Sequence, residues 1–275
     1  MSSFHSKFEK SNLMLTFFYF QFYKFQEQYV EYDELVTLSE NFKYLQRLTF
    51  NISFVSDYFV TKFIANRALE ELQFSGNHKV TGSFLNKIKL RNLKALNFKN
   101  CKRLDFDLNV IPGLKKLELN YVPWSICEPI IQVLNKLQEL EHLELILSFN
   151  TANDMFFECV SKLSRLKHLN VNIKASNDDL VLLSMGCMEL RSLLLANCTD
   201  ISGLGVTALC SNAGERLTTL GLKCSDRFTD DNVVTIIKCC PNLTVDLFLC
   251  SPFGVSLQRV PLFRQCGLVH APVSQ

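Results

Sequence analysis

A chain of 275 residues with an apolar fraction of 48% can bury a continuous core, as one or two globular domains or as one repeat array. Its 29 basic residues nearly balance 27 acidic ones, and a net charge of +2 argues against a nucleic-acid binder. Eleven cysteines, an odd number with no C-x-x-C pair, point away from a disulfide framework or zinc finger and towards reduced, buried thiols in the cytoplasm and/or nucleus.

Residues 1–10 are polar and aromatic without a period and read as a frayed start. The run from Leu13 to Phe25 carries Gln21 and Lys24 and falls short of the ~20 apolar residues of a membrane span. It also lacks a small-residue cleavage site, so neither a membrane partner nor a signal peptide is expected. Leu15, Phe18 and Phe20 fit either a degenerate first copy of the phrase described next or an aromatic cap on the open end of the core. Residues 26–41 predict a helix, with Tyr29, Tyr32, Leu35, Val36 and Leu38 on one face. The segment 1–40 is accordingly a cap or a degenerate first repeat.

From 41 to 250 one phrase, L-x-x-L-x-L, keeps returning. Its first leucines are Leu45, Leu69, Leu93, Leu114, Leu140, Leu166, Leu190 and Leu217, at spacings of 24, 24, 21, 26, 26, 24 and 27 residues. A ninth, degenerate copy starts at Leu243, with Asp246 in the second leucine slot as if one residue had been lost. A leucine phrase at a period of ~20–29 residues is the signature of leucine-rich repeats.

The spacing itself builds the fold. The second and third apolar residues lie two apart on a strand and so face the same side. Each crossover must return the chain one layer on. Strands stack about 4.8 Å apart and helices about 10 Å, so the sheet takes the inside of a curve. The expected fold class is α/β: a leucine-rich-repeat solenoid of eight to nine repeats with a concave parallel sheet.

Helical patterns fill the crossovers. They are Phe54, Tyr58, Phe59, Phe63 and Ile64; then Ile126, Ile130, Ile131, Val133 and Leu134; then Met155, Phe156, Cys159, Val160 and Leu163. Leu180, Leu182, Leu183 and Met185 follow Asp178 and Asp179, which suit a helix N-terminus. Ile201, Leu204, Val206 and Leu209 follow, then Val233, Val234, Ile236 and Ile237. All read as core. The lone Trp124, beside Tyr121 and Pro123, reads as a packed core residue or as a loop residue for binding. Residues 251–275 contain three prolines and no phrase, and predict a C-terminal cap and a partly disordered tail.

The cysteines keep the register. Cys187 and Cys240 each precede a first leucine by three residues, and Cys101 and Cys198 each follow one by eight. Residues 187–206 fill C-x-x-L-x-x-L-x-L-x-x-C-x-x-I-[ST]-x-x-[GN]-[VL]. This pattern resembles the cysteine-containing leucine-rich repeats of F-box/leucine-rich-repeat proteins, specifically over about 185–250 and loosely over 40–185. The resemblance implies an intracellular adaptor whose arc grips a protein substrate. In F-box members a separate helical bundle recruits a Skp adaptor and a cullin ubiquitin ligase. Residues 1–40 contain no proline and do not fit an F-box. That leaves an incomplete product, a repeat-only scaffold without ligase association, or a diverged N-terminal segment.

The outward strand positions give the candidate site. Its middle rows carry the larger side chains: Lys116, Glu118 and Asn120, then His142 and Glu144, then His168, Asn170 and Asn172. His142 and His168 hold one position in adjacent repeats and invite a metal or general-base reading. No cysteine or carboxylate partner at ligand spacing completes a site with them. They are therefore read as exposed polar residues of a protein-binding face, with no metal and no cofactor. No G-x-x-x-x-G-K-[ST], H-E-x-x-H or G-x-S-x-G occurs, and no enzyme is expected.

Overall fold

A computed structural model describes residues 17–21, 44–51, 55–64, 68–105, 111, 113–148, 154–222, 230–243 and 245–249. At 17–21, Trp124, Asp154, 230–233 and 245–249 it describes the backbone alone. The helix expected at 26–41, Phe54 and the tail from Ser251 lie outside these residues, as does the packing of Trp124.

Ten described strands form one parallel sheet whose order follows the sequence. They are β1 (Phe17–Gln21), β2 (Arg47–Asn51), β3 (Glu71–Ser75), β4 (Ala95–Lys99), β5 (Lys116–Val122), β6 (His142–Leu147), β7 (His168–Val171), β8 (Ser192–Leu195), β9 (Thr219–Leu222) and β10 (Val245–Leu249). The phrase dictates the register: Leu48, Leu72, Leu96, Leu117, Leu143, Leu169, Leu193 and Leu220 stand side by side. All eight are buried, and so are the third-slot residues from Phe50 to Leu222. β1 pairs with β2 so that Phe18 meets Leu48 and Phe20 meets Phe50.

At the other end the structure corrects the sequence reading. Val245 pairs with Thr219, but Leu249 pairs with Leu222 after a register shift. The offset thus grows from 26 to 27 residues, so the last copy carries one residue more, not one fewer. A bulge absorbs the extra residue.

Six described α-helices supply crossovers: α1 (Asp57–Ile64), α2 (Cys127–Leu134), α3 (Asp154–Ser161), α4 (Asn177–Gly186), α5 (Gly203–Ala213) and α6 (Asp230–Cys239). Short 3-10 turns stand at Ser83–Asn86 and Trp124–Ile126. None of these helices is long and apolar enough to cross a membrane. Each helix buries one stripe against the sheet, but not always the full apolar set expected. Phe59, Phe63 and Ile64 are buried in α1, whereas Tyr58 is 73% exposed beneath Lys62. Leu180 and Leu183 are buried in α4, while Leu182 and Met185 face outward. In α5, Leu204 is 81% exposed, and Met155, Val234 and Ile237 are likewise exposed. These residues interrupt the roughly 3.6-residue period on the outer side of their helices, where the next repeat does not reach.

Polar stitches tie successive crossovers together. The Asp57 carboxylate at the start of α1 accepts hydrogen bonds from the Thr81 and Gly82 backbone N–H groups, at 2.9 and 2.8 Å. Asn177, at the start of α4, likewise accepts from Ser202 N at 2.8 Å and donates to Ser202 Oγ at 3.0 Å. Ser176 and Asp179 close a reciprocal capping box on α4, satisfying N–H groups that a helix start leaves orphaned. A Cβ on Gly205 would lie 2.4 Å from Asn177 Oδ1, so only glycine lets α5 approach α4 this closely.

The eight described cysteines are free thiols, and all but the half-buried Cys239 are buried. Cys101 and Cys198 sit just beyond β4 and β8, with Sγ 3.6 Å from Lys99 O and 3.2 Å from Leu195 O. Cys187 caps the end of α4. Burial pushes the thiols of Cys101 and Cys127 up to about 11 and that of Cys187 to about 12. They pack as small hydrophobic groups.

Candidate binding face and its carboxylate–imidazole cluster

Among the described residues, alternation along each strand leaves one side of the sheet free of helices. The eight candidate residues all lie there. Glu118, Asn120, His142, Glu144, Asn170 and Asn172 are half-buried, and Lys116 and His168 are exposed. Register then sets their neighbours. Lys116, His142 and His168 form one lateral row, and Glu118, Glu144 and Asn170 form the next.

Two like charges, Glu118 and Glu144, therefore face each other across adjacent strands, an unfavourable pairing unless offset. Lys116 Nζ lies 2.8 Å from Glu118 Oε1. His142 Nε2 lies 3.2 Å from the same oxygen and 4.0 Å from Glu144 Oε2. The Asn97 side-chain amide donates to Glu118 Oε2. The facing His142 ring and the Lys116 ammonium outweigh burial and hold the Glu118 carboxyl down at about 2. The His168 ring sits 5.4 Å from that of His142, tilted by 42°, and partial burial lowers its proton affinity, with His142 adding to the effect.

This geometry overturns the expectation that no carboxylate partner completes a site, but for His142 only, since His168 is not in the group. Donor atoms of Glu118, His142 and Glu144 all lie within 4.8 Å of one another. Glu144 follows His142 by two residues on the same strand, whereas Glu118 comes from the neighbouring repeat, which spacing along one phrase cannot reveal. His142 is also half-buried, not exposed.

Beside the cluster the face dips into a hollow of about 530 Å³ lined by Asn120, Tyr121, Glu144, Asn170 and Asn172, among others. Tyr121 is exposed and holds a left-handed backbone, φ 55°, at a shift in the β5–β6 register. Such a bulge re-aims a side chain. Asn172 is differently employed: its amide donates to Leu147 O and accepts from Leu147 N, both at 2.8 Å. It fastens β6 to the segment after β7.

No family model and no curated protein matches this chain. Among solved structures, a chain of the yeast Rad7–Elc1 complex is similar in fold, with a TM-score of 0.53 at 18% identity, over 84% of this chain and 70% of that one. The leucine-rich-repeat domain of the type III effector XopL aligns over 79% of this chain and 71% of its own, at 16% identity and a TM-score of 0.36. The ordered parallel sheet, the phrase register and the crossover helices make the fold a leucine-rich-repeat solenoid.

Proposed function

We propose that this chain is a non-enzymatic protein-binding module, the substrate-recognition subunit of an SCF-type ubiquitin ligase in the cytoplasm or nucleus. A single observation carries the binding role: the helix-free face presents a fixed, half-buried polar cluster beside a hollow rimmed by the exposed Tyr121. Aromatic anchors set among polar groups are what interfaces with other proteins use. The ligase role draws on the cysteine register of 185–250, which resembles F-box/leucine-rich-repeat proteins. It also draws on the likeness in fold to a chain from the complex of Rad7 and Elc1.

Proximity labelling followed by affinity capture tests both parts. Reversing Lys116, Glu118 and Glu144 together, or replacing Tyr121 with Ala, is expected to lose the same partner. An unchanged partner set in both variants would remove the sheet face as the docking surface. Recovery of a Skp adaptor and a cullin supports the ligase role. A lost partner without either protein leaves a regulatory scaffold.

A further inference from the structure

We propose that Glu118, His142 and Glu144 form a binding site for a divalent first-row transition ion of the zinc type, at the centre of the helix-free face. The donor set comes from two adjacent strands, whose backbone hydrogen bonds fix the spacing of the three side chains. A tetrahedral ion with N and O ligands at 2.0–2.2 Å keeps its donors about 3.4 Å apart. The observed separations from His142 Nε2, 3.2 Å to Glu118 and 4.0 Å to Glu144, bracket that value.

Electrostatics give the second argument. His142 Nε2 is enclosed and faces two carboxylates, with Glu118 Oε1 at 3.2 Å and Glu144 Oε2 at 4.0 Å. An unprotonated ring nitrogen there would set its lone pair against theirs. A hydrogen on Nε2 or a metal ion between the three groups removes that clash. A proton can be shared with one oxygen at a time, whereas an ion at the centroid serves all three donors. One imidazole and two carboxylates suit zinc, while magnesium and calcium prefer all-oxygen sets. Three protein ligands leave a fourth position open. Lys116 Nζ, 2.8 Å from Glu118 Oε1, occupies the same electrostatic role and competes with the ion. It is exposed and free to swing out. His168 stands beside the cluster and is not one of the three donors.

The test uses the full chain stripped with a chelator, then titrated with Zn²⁺ against a chromophoric competitor and separately with Co²⁺. One site is expected. His142→Ala and Glu144→Gln should each weaken it roughly tenfold or more. Lys116→Gln should tighten it several-fold, because the competing cation is gone. A gain of affinity cannot come from misfolding, so this variant keeps the test decisive. The Co²⁺ form should show weak ligand-field bands without intense thiolate charge transfer. The proposal is overturned if wild-type protein binds no Zn²⁺, if the three variants bind as wild type does, or if cobalt reports thiolate ligands.

Discussion

Phe74 stacks on Phe98 with ring centroids 5.1 Å apart and planes 8° from parallel. Phe50 stacks on the other side of Phe74, also at 5.1 Å. The three rings occupy the third phrase slot of β2, β3 and β4, where the strand spacing of about 4.8 Å sets their separation. Replacing Phe74 with Ala should cost about 3–5 kcal/mol by cavity formation and loss of two stacks. Phe74→Leu should cost clearly less, since leucine fills this slot from Leu119 onward in four of the next five strands. Urea denaturation of both variants measures the difference. An alanine variant as stable as the leucine one would show that the ring stack contributes nothing.

That slot was legible in the sequence because a strand allows only two faces and the core takes one. The cysteine register was legible for the same reason. Cys101 and Cys198 both follow a first leucine by eight residues, and both are buried just past a strand. The outer faces of the helices were not legible. Leu204 and Met185 are as apolar as their buried neighbours, and only the position of the next helix decides which side stays dry. The last copy was legible as irregular, but not as carrying an extra residue, because a leucine phrase does not say which of two adjacent residues is skipped in pairing. The Glu118–His142–Glu144 cluster was half legible. All three residues could be placed on one face, but their meeting depends on lateral register between repeats of unequal length.

Asn77 shows what repeat position adds. It follows Leu69 by eight residues, the place that Cys101 and Cys198 hold in their repeats. Its side chain is buried, donates to Val55 O at 3.0 Å, and accepts from Lys79 N and Val80 N at 2.8 and 2.7 Å. Asn77→Ala should destabilise by about 2–3 kcal/mol, because buried backbone groups lose their partners. Asn77→Cys should fall between alanine and wild type: sulfur fills the slot but accepts hydrogen bonds weakly. Denaturation midpoints for the two variants test the order. Equal losses would mean that volume alone matters at this position.

Thiol chemistry should follow burial. Cys101, Cys127 and Cys187 are buried thiols whose proton affinity burial raises, so little thiolate exists near neutral pH. Among the eight described cysteines, Cys239 is the one left half-buried. Native alkylation at pH 8, read by peptide mass spectrometry, should modify Cys239 first of these eight. The other seven should react only on denaturation. Early labelling of Cys187 would mean that α4 opens readily at its C-terminal end.

Glu141 sits between two lysines at the strand entrances. Lys115 Nζ lies 3.2 Å from Oε1, and Lys167 Nζ lies 2.7 Å from Oε2. Hydrogen bonds from Lys167 and then Lys115 lower the affinity of the carboxyl for its proton. The same contact with Glu141 raises that of the Lys167 ammonium. The signs follow directly. A lowered carboxyl contributes stability that is complete above the ordinary value of 4.5 and is lost as pH falls through the lower folded value. A raised ammonium contributes stability that is complete below its ordinary 10.5 and is lost as pH rises past it. Glu141→Gln should therefore be slightly less stable than wild type between these limits, and the gap should close in acid. The effect should be well below that of Asn77→Ala, because all three side chains are partly open to water. It should also shrink as salt is raised. Thermal melts of both proteins at neutral and acid pH, at low and high salt, decide the matter. A gap that persists in acid would assign the loss to packing of the Glu141 stem instead of its charge.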